Sequence, residues 1–134
     1  MKDKIKFEEF LEIEKRLEIK VGYIISVDPV EKSKKLLVMQ VAFGDGDTRQ
    51  VVTNILPHFS REEDAMDQTA PLLHAREQLV HSHRMFVTNL EPSKIMGLDS
   101  GAMILPGPVE EGKLLGIEGV NIRGTFSLDG TKIL

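Results

Sequence analysis

Cysteine and tryptophan are absent from this chain of 134 residues, and tyrosine occurs once. The lack of cysteine excludes disulfide bonds, thiol catalysis and cysteine-ligated zinc, and it fits a reducing compartment such as the cytoplasm. No apolar run approaches the roughly 18 residues of a membrane-spanning helix. Charges alternate with single apolar residues at the N-terminus, so the apolar segment of a secretory signal is missing. We therefore expect a cytoplasmic protein without a membrane partner.

An excess of basic charge is also lacking, because 17 lysines and arginines stand against 21 acidic residues. Residues 1–60 carry ten groups of each sign, whereas residues 61–134 carry seven basic and eleven acidic groups. Nucleic-acid-binding proteins usually have a basic face, which net charge alone does not exclude. The one dense basic cluster in the predicted core of the domain is Lys32, Lys34 and Lys35. Such a run is also typical of a solvated surface loop.

Hydrophobic residues make up 41% of the chain, enough for the core of a single domain over residues 1–134. Apolar residues at helical spacing predict a short amphipathic helix at Phe7–Arg16, which we expect to pack over one end of the fold. Period-two alternation and a glycine-rich turn then predict three strands, at Leu17–Val27, Leu36–Phe43 and Thr48–Ile55. Gly22 predicts a bulge or sharp bend within the first of them.

A helix is predicted between the third and fourth strands, because Ser60 and Glu63 have the spacing of a capping box. We expect Pro71 to interrupt this helix and residues 72–79 to form either a further helical turn or a loop. The remaining predicted elements are a strand at 84–90, a glycine-bearing loop at 94–100 and a short buried strand at 102–105. Short apolar pieces separated by glycines predict extra strands within residues 107–134.

This order of elements is that of an OB-fold, an all-β, five-stranded and partly open barrel. We assign the barrel to residues 17–106, preceded by a helix or arm in residues 1–16 and followed by a C-terminal extension at 107–134. The pattern alone also allows an SH3-like barrel or a small sandwich.

Four segments carry recognisable motifs. IKVGYIISVD and TRQVVTNILPHFSREE resemble the patterns I-R-V-G-x-I-x-x-V and R-Q-I-V-S-G-I-x-P-x-Y-x-P-E-E. VTNLEPSKIMGLDSGAM and LDGTKIL resemble V-x-N-L-x-P-x-K-x-x-G-x-x-S-x-G-M and P-x-G-T-K-I. With these segments in this order, the chain from about Phe7 to Leu134 resembles the EMAP-type tRNA-binding domain family.

The resemblance implies an OB-fold that binds tRNA or another structured RNA and catalyses no reaction. Family members are fused to methionyl-tRNA and other aminoacyl-tRNA synthetases, or are free-standing homodimers. The free-standing members include CsaA-type chaperones, so the alternative is a protein-export chaperone or protein-interaction module that uses the same face. In those homodimers the N-terminal helix and the C-terminal strands build the interface, which here implies residues 1–16 and 107–134. Unfolded polypeptide and an aminoacyl-tRNA synthetase are further partners that the resemblance suggests.

Candidate RNA-binding residues come from two sources. A groove that follows phosphates needs cations, and the candidates are Lys32, Lys34, Lys35, Arg49 and Lys94. The resemblance also places Thr53, Ser100 and Met103 on the face that receives RNA in the family.

Several positions depart from the family pattern. Lys32 stands where asparagine is usual, and Asn54 replaces a glycine. Met96 stands where the family has a basic residue, and Glu91 stands where the family often has one. These changes weaken the RNA-binding face more than the fold. An exposed Met96 would also favour polypeptide as a ligand, because methionine side chains adapt to varied apolar surfaces.

Catalysis and metal binding find little support in the sequence. Ser100 does not lie in a nucleophile elbow, since the window Leu98–Ala102 lacks both flanking glycines. His81 and His83 would share one face only in an extended segment, and no cysteine or carboxylate-rich cluster accompanies them. We therefore expect no enzymatic activity, no cofactor and no metal site.

Overall fold

The computed structural model of the protein describes residues 1–60 and 67–105, together with the backbone of residues 109–110 and 113–114. The helices are α1 (Phe7–Arg16), a 3₁₀ helix (Leu56–Phe59) and α2 (Ala70–Leu79). The strands are β1 (Ile19–Pro29), β2 (Leu37–Ala42), β3 (Thr48–Thr53), β4 (His83–Val87), β5 (Ser93–Ile95), β6 (Leu98–Ser100), β7 (Met103–Ile104), β8 (Val109–Glu110) and β9 (Lys113–Leu114). The predicted capping-box helix and most of the predicted C-terminal extension lie outside the described residues.

Five strands form one curled antiparallel sheet in the order β3-β2-β1-β4-β7. The two ends of this sheet approach each other, because the Gly101 N–H donates a hydrogen bond to the Gln50 carbonyl at 2.8 Å. The Val52 N–H also donates to Ser100 Oγ at 3.0 Å. This half-barrel confirms the predicted all-β OB-like fold, with its helix between the third and fourth strands.

Gly22 lies at a crowded point of the curled sheet. A Cβ atom at this position would lie 2.6 Å from Val41, 2.7 Å from Phe43 and 2.9 Å from Phe86. The two phenylalanine rings meet edge to face, with centroids 5.3 Å apart. The bulge of β1 lies further along, between Ile24 and Ser26. Gly22 is therefore required for close packing; the predicted bulge is not at Gly22, and the predicted alternative, a sharp bend there, stays a prediction.

The core is closed on one side by α2, through its buried residues Ala75 and Leu79. Pro71 was predicted to interrupt a helix, but it lies in the first turn of α2. Proline is favoured there because the first N–H groups of a helix have no intrahelical partner. The stretch 72–79 is accordingly helical, which decides between the two predicted alternatives.

The predicted loop at residues 94–100 is a β-hairpin. Strands β5 and β6 pair Ser93 with Ser100 and Ile95 with Leu98. Met96 and Gly97 form the turn with φ of 50° and 79°. Positive φ at both central residues suits the right-handed twist of a two-residue hairpin.

Helix α1 has the predicted bounds, but its apolar face is uncovered in the single chain. None of its residues is buried, and Phe7, Phe10 and Ile13 are 72%, 42% and 52% exposed. The prediction that α1 packs over one end of the barrel is therefore wrong for one chain alone. No helix in the described part of the chain is long and apolar enough to span a membrane.

Candidate functional site

The lysine cluster lies in the connection between β1 and β2, which we call the basic loop (residues 30–36). The Ser33 hydroxyl accepts hydrogen bonds from the N–H groups of Lys35, at 3.2 Å, and Leu36, at 3.1 Å. Lys32 takes a left-handed conformation with φ of 64°. The backbone of the loop is thus held in a defined turn. The exposed side chains of Lys32, Lys34 and Lys35 extend from this turn.

A small hydrophobic cluster joins the basic loop to the β5–β6 hairpin. Val30 and Leu36 of the loop pack with Val52 of β3, and Ile95 and Leu98 of the hairpin pack against them. Lys94 precedes Ile95 and is exposed, so the segment that packs against the basic loop carries a fourth predicted lysine. Asp99 is paired opposite Lys94 across the hairpin and supplies a negative charge.

A cleft of about 380 Å³ opens between these two lysine-bearing segments. Three predicted site residues, Thr53, Ser100 and Met103, line it. Its other lining residues are Leu36, Val52, Asn54, Leu90, Glu91, Ser93, Ile95 and Ala102. Lys35 and Lys94 are the sequence neighbours of its lining residues Leu36 and Ile95, whereas Lys34 lines the second cleft described below.

Ser100 and Arg49 have structural partners. The buried Ser100 hydroxyl accepts from the Val52 N–H and donates to the Ala102 carbonyl at 3.2 Å. Arg49 donates two hydrogen bonds to the Asp47 carboxylate, both at 3.0 Å. It also donates to the carbonyls of Thr88, at 2.7 Å, and Gly101, at 3.1 Å. Four of the five guanidinium N–H donors are therefore engaged within the protein. A direct RNA contact by Arg49 stays a prediction.

In the β4–β5 connection, the resemblance implied Leu90 for the RNA-binding face, whereas the sequence did not identify Glu91 as part of the site. They line the cleft beside Ser93. Their motif, N-L-x-P-x-K, was recognised, but the path of a connection across a barrel mouth depends on tertiary packing. Glu91 adds a carboxylate to the lining of the cleft.

A second cleft, of about 400 Å³, separates the basic loop from the start of α2. Lys34 and Ser33 line it on the loop side, and Thr69 and Pro71 line it on the helix side. Next to it, the Thr69 hydroxyl and N–H donate to Asp67 at 2.7 and 2.9 Å, and these bonds lower the pKa of the Asp67 carboxyl.

The rings of His81 and His83 both lie close to that of Tyr23. The Tyr23 hydroxyl shares a hydrogen bond of 2.7 Å with His81 Nδ1, and the His83 ring centroid lies 5.2 Å from that of Tyr23. Among the residues that the structure describes, no group of three or more histidine, cysteine or acidic residues is placed to hold a metal ion.

Comparison with known proteins identifies a family and individual proteins to which this chain is similar. A family profile described as "Putative tRNA binding domain" matches residues 19–122. The methionine–tRNA ligase of Methanococcoides burtonii is 36% identical over 106 residues, which are 79% of this chain and 13% of the ligase. That of Helicobacter pylori is 38% identical over 103 residues, 75% of this chain and 14% of the ligase. The chain thus spans only a small fraction of the length of these relatives.

Two solved structures share the fold over nearly the whole chain. A methionyl-tRNA synthetase related protein from Pyrococcus horikoshii has a TM-score of 0.66 and 24% identity, covering 99% of this chain and 100% of that one. The CsaA chaperone protein of Picrophilus torridus has a TM-score of 0.62 and 20% identity, covering 98% of this chain and 100% of the chaperone. At these identities the likeness shows the fold alone.

Proposed function

This chain belongs to the tRNA-binding domain family, and from that premise we propose that it binds tRNA or another structured RNA without catalysing a reaction. The RNA-binding face consists of the basic loop, the β5–β6 hairpin and the cleft between them. Phosphates are contacted by Lys32, Lys34, Lys35 and Lys94. The cleft is lined by Thr53, Ser100 and Met103, which give it its shape or contact the RNA. Arg49 supports this face from within.

The observation that carries this proposal is the packing of Ile95 and Leu98 on Val30 and Leu36. It joins two segments, far apart in sequence, that each carry exposed lysine. Cations on both sides of a groove can follow the regularly spaced phosphates of an RNA strand. A solvated loop unrelated to binding would not require this fixed neighbour.

Shape recognition suits this face better than stacking on aromatic rings. Phe43, Phe59 and Phe86 are buried in the core. Structured RNA can be bound through its phosphates and 2′-hydroxyl groups across a helical surface. We therefore expect contacts with folded RNA to dominate the affinity.

We further propose that the protein acts in the cytoplasm as a homodimer. The uncovered apolar face of α1, with Phe7, Phe10 and Ile13, supports a partner surface at the N-terminus. The C-terminal extension, residues 107–134, is the other part of the proposed interface. The names of the relatives also favour an aminoacyl-tRNA synthetase as a protein partner.

A second candidate function is the binding of unfolded polypeptide, as a chaperone or protein-interaction module. Leu90, Met96 and Met103 are 47%, 59% and 49% exposed, and two of them line the cleft. Apolar side chains at such a surface suit hydrophobic segments of a client. Binding of this kind would change little with salt concentration.

The test is binding of bulk tRNA by the purified protein at about 50 and 200 mM salt. If the four lysines each neutralise one phosphate, affinity falls by roughly a hundredfold between these conditions. The variant Lys35→Glu/Lys94→Glu should lose at least about tenfold in affinity and reduce the salt slope by about two. Its matched control, Lys2→Glu/Lys4→Glu, makes the same charge change on the N-terminal arm and should bind more tightly than the test variant. Equal losses in both variants, or no binding at low salt, would contradict the proposal.

A further inference from the structure

We propose that the cleft holds one unstacked RNA base and that the Glu91 carboxylate selects guanine. The inference rests on the proposed function, since the same face must first receive RNA. It concerns what the cleft itself recognises, beyond the phosphates that the lysines attract.

Among the lining residues of the cleft a single side chain is charged, a carboxylate, while exposed charges of both signs surround it. Glu91 lines it, between a loop with Lys35 and a hairpin with Lys94. A carboxylate repels phosphate, so the group that enters the cleft is an uncharged part of the nucleotide. Lys35 and Lys94, the sequence neighbours of the lining residues Leu36 and Ile95, would then meet the phosphates before and after that nucleotide. This alternation of charge fits a single strand whose base turns inward.

The apolar part of the cleft suits the flat faces of a base. Leu36, Ile95 and Ala102 line its interior, and the exposed side chains of Leu90 and Met103 line its mouth. Apolar side chains can sandwich an unstacked base in place of aromatic rings. The volume, about 380 Å³, lies near the lower end of the roughly 300–1,000 Å³ typical of small-ligand sites.

The hydrogen-bonding edge of the base then decides selectivity. An ionised carboxylate only accepts hydrogen bonds and can accept two side by side. Guanine presents two adjacent donors, N1–H and the N2 amino group, on its Watson–Crick edge. Adenine and cytosine each offer an amino donor beside a ring acceptor, and uracil offers a single N–H between two carbonyls. Glu91 therefore fits guanine and opposes the acceptors of the other bases.

The test uses fluorescein-labelled pentanucleotides at low salt, with four uridines and one central base. Inosine is the decisive comparison, because it differs from guanosine only by the missing N2 amino group and has the same charge. We expect the oligonucleotide with central guanine to bind about tenfold more tightly than that with inosine. Glu91→Gln should remove this difference, because an amide cannot accept two such bonds side by side. Glu9→Gln, which makes the same change on exposed α1, should keep it.

Two outcomes would overturn the inference. Equal affinity for guanine and inosine in the unaltered protein is one, and a preference that persists in Glu91→Gln is the other. If tRNA still binds with a steep salt dependence in either case, the proposed function stands and only the base site fails. Leu90→Ala should weaken the binding of every oligonucleotide. The comparison is Leu73→Ala, which changes an exposed leucine on α2 outside the cleft. If Leu90→Ala instead abolishes binding of an apolar peptide and no base is preferred, the cleft is a polypeptide site.

Discussion

Arg49 donates a hydrogen bond of 3.1 Å to the carbonyl oxygen of Gly101, across the seam where β3 meets the segment before β7. The same guanidinium reaches the Thr88 carbonyl and both oxygens of Asp47. It also lies over the Phe43 ring, 5.2 Å from the centroid. A side chain predicted to contact RNA thus connects four parts of the barrel.

The main effect of replacing Arg49 should therefore be a loss of stability and not a loss of phosphate binding. We expect Arg49→Lys to lower the free energy of unfolding by about 2 kcal/mol, because an ammonium group cannot reproduce the planar fork of donors. Urea unfolding measures this loss. Arg49→Met should lose a comparable amount. If Arg49→Lys keeps full stability while Arg49→Met loses only RNA affinity, the residue acts as a phosphate contact instead.

Gly22→Ala should be strongly destabilising, by about 2–4 kcal/mol, because the added methyl group overlaps with Val41, Phe43 and Phe86. The control is Gly101→Ala, where the nearest atoms belong to Arg49 at 3.5 Å, an ordinary contact distance. Thermal unfolding of both variants tests the comparison. Similar melting temperatures for the two would show that the sheet relaxes around Gly22.

The sequence predicted α1 and the first four strands to within three residues at each end, because these elements are long enough to show their periodicity. The β5–β6 hairpin escaped prediction because its strands have three residues each. Its turn, Met96–Gly97, also begins without the asparagine or aspartate that usually marks such turns. The prediction that Pro71 interrupts a helix was wrong, because a proline in the first helical turn and a proline that ends a helix look alike in sequence.

Only part of the candidate site was predicted, and the reason is related. Lysines and family motifs can be read from the sequence, so Lys35, Thr53 and Lys94 were named. The cleft depends on how Ile95 and Leu98 dock on the basic loop, which no local pattern encodes. Glu91 therefore became a site residue only once the path from β4 to β5 was known.

Lys32 provides a prediction in which stability and binding change in opposite directions. Its φ of 64° is unfavourable for lysine, whereas asparagine tolerates it. Lys32→Asn should raise the free energy of unfolding by about 0.5–1 kcal/mol and lower the salt slope of tRNA binding by about one. Lys34→Asn removes the same charge at a residue without positive φ. It should reduce binding without any gain in stability, and a gain in both variants would point to charge repulsion in the loop.

The uncovered face of α1 provides the last prediction. Phe7 and Phe10 stack with ring centroids 6.2 Å apart, and both side chains remain exposed to solvent. Such an apolar patch on a helix is favourable only when another surface covers it. Phe10→Glu should convert a dimer into a monomer in sedimentation equilibrium, and it should leave the barrel's far-ultraviolet circular dichroism unchanged. Leu73→Glu, at an exposed apolar position on α2, should leave the dimer intact. If the unaltered protein is already a monomer at micromolar concentration, α1 does not form a stable interface between two copies.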